Sequence, residues 1–227
     1  MLFKSSLIAT AVACMALLAV APSTEAHVAI KSPCPRGGTF PGCPGGNPPD
    51  YNIRTPIGTN KGLRKNQPFK LCKNTHVQSK RVIYKAGQTI KTEYDVGAPH
   101  GGGHCQWALS YDNGKTWVVI KTMIRSCLAT AKEGKPYSVP VTIPKEAPNG
   151  NAIFMWMWNN AIGNRELYSN CVDITVKGSK SKQIKGVQPL FVNYGSDFPT
   201  IPEFPTSKMP DKHELFNTRK AITIKVK

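Results

Sequence analysis

The sequence is poor in acidic residues: 13 Asp and Glu stand against 30 Lys and Arg, which leaves a formal net charge of +17. No recognisable pair of carboxylates is present, which disfavours a glycoside hydrolase, because that class needs two carboxyl groups about 5 to 10 Å apart. The excess positive charge favours anionic partners. Since no helix-turn-helix, zinc-finger or RNA-recognition pattern accompanies it, nucleic acid is not expected, and adhesion to an anionic cell wall is the simpler interpretation.

Sustained helical periodicity is also missing after residue 26, and internal repeats and low-complexity tracts are absent. Short β-branched and aromatic runs bounded by turn residues occur instead. They predict an all-β domain, an immunoglobulin- or fibronectin-like β-sandwich with long disulfide-pinned loops. The predicted strands are residues 81–84, 89–96, 106–111, 116–124, 137–143, 152–159 and 171–176.

Two pairings follow from the turn residues between these strands. Residues 81–84 are expected to pair with 89–96, and residues 106–111 with 116–124, where Asp112-Asn113-Gly114 supplies the positive-φ positions of a hairpin. The alternating residues 221–227 predict either an edge strand or a loose tail.

A long segment with few strand-forming residues, 31–73, is rich in Gly, Pro and Asn. It predicts an ordered loop pinned by Cys34, Cys43 and Cys72, and loops of such length in compact domains are usually functional. Residues 27–192 are predicted to form the sandwich domain, and residues 193–227 a C-terminal extension packed on it.

The first 26 residues have the form of a secretory signal, with Lys4, an apolar run over 7–21 and a small-x-small site ending at Ala26. The run is too short for a membrane span. Cleavage after Ala26 would make His27 the N-terminus, whereas cleavage after Ala21 fits the same rule and would not. We expect a secreted, extracellular or cell-wall monomer with no membrane partner.

The cysteines contain no CxxC pair, which argues against structural zinc. Of the seven, Cys14 lies in the signal, so an even number remains in an exported chain, and this predicts three disulfides. The sequence alone leaves their connectivity open. The remaining cysteines are Cys34, Cys43, Cys72, Cys105, Cys127 and Cys171.

Three segments carry candidate metal ligands: His27, the segment Ala98-Pro99-His100-Gly101-Gly102-Gly103-His104-Cys105-Gln106, and the segment Gly163-Asn164-Arg165-Glu166-Leu167-Tyr168-Ser169-Asn170-Cys171. Together they resemble the lytic polysaccharide monooxygenases, most closely auxiliary-activity family eleven, the fungal chitin-active group. The resemblance extends from His27 to about Val192. It includes residues 68–73, 156–159 and 189–192.

An N-terminal histidine offers two nitrogens to one metal, the α-amine and a ring nitrogen, and a second imidazole completes a planar set that suits copper. A model α-amine has a pKa of roughly 7.7 to 8.0, so it can be neutral and ligating near neutral pH. The resemblance implies that His27 and His100 bind copper and that Tyr168 is axial. It further implies that Glu166 orients oxygen species or moves a proton, and that Ala98 shapes the other axial face.

The same resemblance implies oxidative cleavage of chitin or a related insoluble polysaccharide, driven by an external reductant. It also pairs Cys105 with Cys127 and Cys72 with Cys171, which leaves Cys34 with Cys43. A non-catalytic copper- or polysaccharide-binding wall protein would share every one of these motifs, so it remains the alternative.

Each site residue also has an ordinary structural interpretation. His100 could satisfy local hydrogen bonds in a loop, Tyr168 could be strand packing, and Glu166 could form a surface ion pair with Arg165, which would contribute little stability. His104 stands where the family usually has serine. It is interpreted as a second donor near the metal, a competing ligand or a tolerated loop substitution, the last being favoured.

The remaining aromatic and histidine candidates are less specific. Trp156 and Trp158 project to one face of a strand and could relay electron holes, but core packing is favoured because strand aromatics are normally buried. His76 and His213 lie in polar contexts and are interpreted as surface residues.

Overall fold

The computed structural model describes residues 27–44, 48–61 and 70–226, so the predicted signal peptide lies outside the described residues. This part of the chain consists of strands and loops with a short 3₁₀-helix, His213–Thr218. The strands are β1 (Val28–Ser32), β2 (Gly58–Thr59), β3 (Val82–Lys85), β4 (Thr89–Val96), β5 (Gly103–Ser110), β6 (Val118–Cys127), β7 (Tyr137–Thr142), β8 (Gly150–Asn160), β9 (Glu166–Lys177), β10 (Gln183–Val187) and β11 (Ala221–Lys225).

Two main sheets form a sandwich. One has the order β1-β4-β7, and the other has the order β2-β9-β8-β5-β6, with β3 also paired to β9. Strands β10 and β11 form a third, two-stranded sheet, whose Gly186 lies against Val118 of β6. The predicted all-β sandwich is confirmed, and residues 221–225 form a paired strand rather than a loose tail.

The burial pattern explains why some strands alternate and others do not. β4 alternates between exposed and buried residues because one of its faces meets solvent, whereas β5 is buried along its whole length. One face of the larger sheet packs on the β1-β4-β7 sheet. The other face is covered by loop residues such as Leu71 and Tyr194, so its strands carry apolar residues on both sides.

The predicted pairing of residues 81–84 with 89–96 is wrong, although both strands exist. β3 pairs with β9 in parallel, with Val82 opposite Ile174, and β4 lies in the other sheet between β1 and β7. The intervening turn carries the chain across the sandwich, since Ala86 N–H donates to Lys177 O of one sheet and Gly87 N–H to Ile143 O beside the other. A turn of this length is compatible with either arrangement.

At the second turn the predicted neighbours and positive φ angles are found: β5 and β6 lie side by side in one sheet, and Asn113 and Gly114 have φ of 59° and 84°. The register pair between the two strands, Gly103 with Ser126, is parallel, so the antiparallel pairing of the predicted hairpin stays a prediction. β9 begins at Glu166, five residues before its predicted start at residue 171, because it pairs with β8 up to Asn159 opposite Leu167. This extension places both Glu166 and Tyr168 on a strand.

Three disulfides are present: Cys34–Cys43 closes part of the loop after β1, Cys72–Cys171 joins a loop to β9, and Cys105–Cys127 joins β5 to β6. These are the pairs that the family resemblance implies. The loop that follows β1 is also held by a buried ion pair, in which the Arg36 guanidinium donates two hydrogen bonds of 2.8 and 2.7 Å to the Asp173 carboxylate. Such two-point pairing offsets the cost of burying both charges.

Candidate functional site

The first candidate ligand, His27, immediately precedes β1 and lies half-buried beside the end of β4. Its carbonyl oxygen accepts a hydrogen bond of 2.7 Å from Gly97 N–H. A Cβ added at Gly97 would lie 2.8 Å from that oxygen and 3.0 Å from His27 Cβ, so the approach requires glycine. His100 follows Gly97 by three residues, which keeps the Cα atoms of Gly97 and His100 within about 11 Å of each other. The fold thus brings two distant histidine segments to one place.

The second candidate ligand, His100, has φ of 45° in the glycine-rich turn. Its ring Nδ1 lies 2.9 Å from Ile162 O. Because a carbonyl can only accept, Nδ1 carries a proton, and in the neutral ring the lone pair is therefore on Nε2. Nε2 is buried and has no hydrogen-bond partner within the described part of the chain. A buried nitrogen in this state is suited to ligating a metal ion.

The turn behind His100 is organised by Asn160, the last residue of β8. Its side-chain N–H groups donate to Ile162 O at 2.8 Å and to Asn164 O at 2.7 Å, and its Oδ1 accepts from Glu166 N–H at 3.2 Å. Ile162 O therefore serves both Asn160 and His100. One amide side chain links the His100 ring to the start of β9.

Glu166 and Tyr168 lie on one face of β9 and contact each other. The Tyr168 hydroxyl donates a 2.7 Å hydrogen bond to Glu166 Oε2, and the two residues are 1 % and 4 % exposed. The Tyr168 ring packs on Trp158 with 4.6 Å between ring centroids, and Trp158 Nε1–H donates to Gly102 O in the histidine turn. These contacts connect the tyrosine to the segment that carries His100.

The interpretation of Glu166 and Arg165 as a surface ion pair is wrong, because Glu166 is buried and the Arg165 guanidinium lies beside Glu203 instead. The Arg165 guanidinium lies 3.7 Å from Glu203 and donates to Gly163 O. Glu203 in turn accepts from Gly163 N–H at 2.5 Å. A residue of the C-terminal segment thereby supports the turn on which the His100 ring rests.

His104 is neither a loop residue nor available as a competing ligand. It lies in β5, is 1 % exposed, and uses both ring nitrogens: Nδ1 accepts from Arg125 N–H at 3.1 Å, and Nε2 lies 3.0 Å from Asp211 O. Its ring stacks on Phe204 at 4.8 Å between centroids. His104 therefore joins the sandwich to the C-terminal segment.

Neutral His104 is expected to make stability depend on pH. Burial lowers the pKa of His104, and the carbonyl and charge of Asp211 offset this only in part, while Arg125 and His213 lower it further. As the pH falls below 6.5, the pKa of His104 in the unfolded chain, the unfolded chain binds a proton at this residue. The folded chain does not bind it until the pH reaches the lower folded pKa. Stability present above that pH is lost as pH falls through the lower folded pKa.

We expect the melting temperature to fall more steeply between about pH 7.5 and pH 5 for the unmodified protein than for H104Q, since a neutral amide can donate and accept in place of the ring. The control is H76Q, because His76 is exposed and is not among the groups that shift the pKa of His104. It should keep the slope of the unmodified protein. Equal slopes for all three proteins would contradict the role given to His104.

The other predicted residues are placed as follows. Trp156 and Trp158 are fully buried, which confirms core packing, and their rings stack at 6.4 Å. His76 and His213 are exposed, as predicted. Ala98 is half-buried between Gly97 and the His100 turn. Among the described residues no three His, Cys, Asp or Glu side chains converge.

A surface cavity opens beside His27, and sequence reasoning did not single out its lining. It has a volume of about 380 Å³ and is lined by His27, Thr39, Phe40, Tyr51, Asn52, Ile53, Arg54 and Thr55. Tyr51 is 84 % exposed. A single exposed aromatic ring is common on protein surfaces, so it is the position of Tyr51 in the same cavity as His27 that makes it a candidate contact. The composition of the loop alone could not show that it lies next to a histidine.

No family model matches the chain. The chain is similar to three curated polysaccharide monooxygenases. AA11 family lytic polysaccharide monooxygenase A of Aspergillus fumigatus is 36 % identical over 167 residues, covering 71 % of this chain and 69 % of that protein. The chain therefore belongs to the AA11 family of lytic polysaccharide monooxygenases, which are oxidoreductases.

Two further relatives are longer than this chain. An AA11 family lytic polysaccharide monooxygenase of Aspergillus oryzae is 32 % identical over 180 residues, 74 % of this chain and 39 % of that protein. AA11 family lytic polysaccharide monooxygenase B of A. fumigatus is 30 % identical over 197 residues, which cover 81 % of this chain and 42 % of that protein. The chain thus spans about two fifths of the length of these two proteins.

One solved structure is similar in part. It is a cellulose-active polysaccharide monooxygenase from M. thermophila, with a TM-score of 0.43, 17 % identity, and coverage of 58 % of this chain and 65 % of that one. Likeness at this level carries no conclusion about substrate.

Proposed function

We propose that the mature protein binds copper through the α-amine and ring of His27 and through Nε2 of His100, with the Tyr168 phenol as the third side chain that would hold the ion. With this metal it would cleave glycosidic bonds of chitin or a related wall polysaccharide oxidatively. The observation that carries the proposal is the state of the His100 ring, whose Nδ1 is bound to Ile162 O and whose Nε2 is buried and unpartnered within the described residues.

The donor set fits copper better than the other common metals. Two imidazoles and one neutral amine favour Cu(II), whereas a carboxylate-rich set would favour Mg²⁺ or Ca²⁺ and a thiolate set zinc. Every one of the cysteines between Cys34 and Cys171 is in a disulfide and cannot ligate. Bound copper would supply one-electron redox chemistry, for which an external reductant provides electrons and dioxygen or peroxide serves as the oxidant of a glycosidic carbon.

The protein's own residues would hold and aim this centre. Ile162 O fixes the tautomer and rotation of the His100 ring, as carbonyl partners of ligating histidines do. The Glu166 carboxylate accepts a hydrogen bond of 2.7 Å from the Tyr168 hydroxyl, so this buried carboxylate is placed to take up or return a proton beside Tyr168.

The surface beside His27 supports an extended polysaccharide as the substrate. Tyr51 presents an exposed ring on which a sugar can stack, and Asn52 and Arg54 flank it with hydrogen-bonding groups. Chitin itself is proposed from the family resemblance, because no feature of this surface selects it over another neutral polysaccharide.

The proposal requires export and cleavage before His27. We propose that residues 1–26 are removed, that residues 27–192 form the catalytic sandwich with residues 193–227 packed on it, and that the protein acts as an extracellular or wall-associated monomer. Three disulfides support an oxidising compartment. No helix within the described ranges is long and apolar enough to span a bilayer.

The direct test incubates copper-loaded mature protein with chitin and ascorbate, and uses H100A loaded in the same way as the control for loosely bound copper. Soluble oligosaccharides ending in aldonic acids are expected from the unmodified protein and not from H100A. Tight binding of chitin without oxidised products would instead identify a binding protein. Product release without reductant would identify a hydrolase.

A further inference from the structure

The end of the sandwich opposite the candidate site carries a concentration of lysines. β8 runs from Gly150 to Asn160, and Gly150 pairs with Val176 near the end of β9. At about 3.3 Å per residue the two ends of β8 are about 33 Å apart. Asn160 and Glu166 belong to the end that holds His100, so Gly150 and Lys177 mark the distal end.

Backbone contacts gather several lysine-bearing segments at that distal end. Lys85 is the register partner of Lys177, and the segments of Lys145 and Lys180 meet where Ser179 Oγ donates to Lys145 O at 3.3 Å. Val226 N–H donates to Lys182 O. We call the group the basic end; its members are Lys85, Lys145, Lys177, Lys180, Lys182 and Lys225, all exposed.

The positive charge of the basic end is largely uncompensated. Within the described part of the chain none of its six lysines forms an ion pair, in contrast to Lys91 with Glu93. Glu146 follows Lys145 in the chain, and Asp112, in the turn after β5, already accepts hydrogen bonds from the Thr116 hydroxyl and backbone N–H. Like charges that are gathered at one end of a domain repel one another unless an anion neutralises them.

We infer that the basic end binds an acidic polysaccharide and anchors the protein while the opposite end meets the substrate. A sugar chain that bears a carboxylate or sulfate on successive residues can contact lysines on several loops at once. Lysine suits this partner because it acts as a flexible point charge and does not require one fixed planar geometry. The inference rests on the distribution of charge and is independent of copper.

Nucleic acid fits this surface less well. Binding of single strands depends on aromatic side chains that stack on bases, and the large aromatic that is strongly exposed among the described residues, Tyr51, lies beside His27 at the other end. Reading of duplex grooves usually needs a helix or a two-stranded ribbon that enters the groove. The two-stranded β10-β11 sheet reaches the basic end at Lys182 and Lys225, but its Ile184 and Ile224 are packed into the sandwich core, so it does not project as a ribbon that could enter a groove.

The test compares two triple variants with the same change in net charge. K145E/K180E/K182E alters the basic end, and K132E/K135E/K208E alters exposed lysines elsewhere, in the loop after β6 and in the C-terminal segment. Binding of fluorescently labelled polygalacturonate is measured by anisotropy at about 50 and 150 mM NaCl. We expect the first variant to bind at least about tenfold more weakly and the second to change less than about threefold, with binding weakened by salt.

Equal losses in the two variants would overturn the inference, because they would show that overall charge alone governs binding. Binding of duplex DNA of matched charge and of anionic lipid vesicles is measured in the same way for the unmodified protein and both variants. Tighter binding of either one that is lost only in the first variant would overturn the assignment to polysaccharide. Melting curves check folding, and the corresponding Lys→Gln triples replace any variant that unfolds.

Discussion

A chain that keeps the five residues 22–26 in front of His27 is expected to bind Cu(II) at least about 100-fold more weakly than the chain that begins at His27. In the extended chain the nitrogen of His27 is an amide, which carries no available lone pair near neutral pH. The α-amine and the ring can then no longer hold the ion as a two-point chelate. Only the two imidazoles would remain.

The measurement is a titration with Cu(II) against a competing chelator, together with the electron paramagnetic resonance spectrum of the bound ion. The control is the extended protein itself after a protease has removed the five extra residues, so that its α-amine is again that of His27. Full recovery of affinity is expected. If the extended chain binds equally well, or if the exported protein starts elsewhere than His27, the proposed centre is wrong.

A methyl group placed against the His100 ring is expected to have the second largest effect on copper affinity. In G163A the new Cβ would lie 2.7 Å from His100 Nδ1, so the ring must move and lose its hydrogen bond to Ile162 O. Loss of such a partner typically lowers metal affinity about 10- to 100-fold. Copper titration of the mature protein measures the effect directly.

The matched control for G163A is G178A. Gly163 and Gly178 have nearly the same backbone, with φ of +91° and +86°, but a Cβ at Gly178 meets nothing within 4 Å. Both variants should therefore lose about 1 kcal/mol of folding stability from backbone strain, and only G163A should lose copper affinity. Unchanged copper binding in G163A, with equal melting temperatures, would show that the turn does not position His100.

The strands were the most predictable part of the fold because their signal is local. Residues 89–96 were predicted as a strand and form β4 with the same bounds. Their partners were not predictable, since the short turn at 85–88 looks like a hairpin but connects two sheets. The short β2 escaped notice because its pairing with β9 spans more than 100 residues.

The candidate site was predictable as a set of residue types but not as a network. His27, His100, Glu166 and Tyr168 followed from chemistry and family resemblance, and whether they bind copper stays a prediction. Asn160 and Gly163 were missed because an amide and a glycine carry no chemical signature until the His100 ring is placed against them. His104 was misjudged because its partners, Arg125 and Asp211, are 21 and 107 residues away.

By itself the sequence determined the strand content, the even number of cysteines after residue 26 and the kinds of ligand available, because alternation, composition and side-chain chemistry can be read from neighbouring residues. Tertiary structure alone decided which sheet each strand joins, which nitrogen of His100 remains free, that His104 is buried, and that lysines from separate loops meet at one end. Those outcomes depend on contacts between residues far apart in the chain, and no local pattern encodes them.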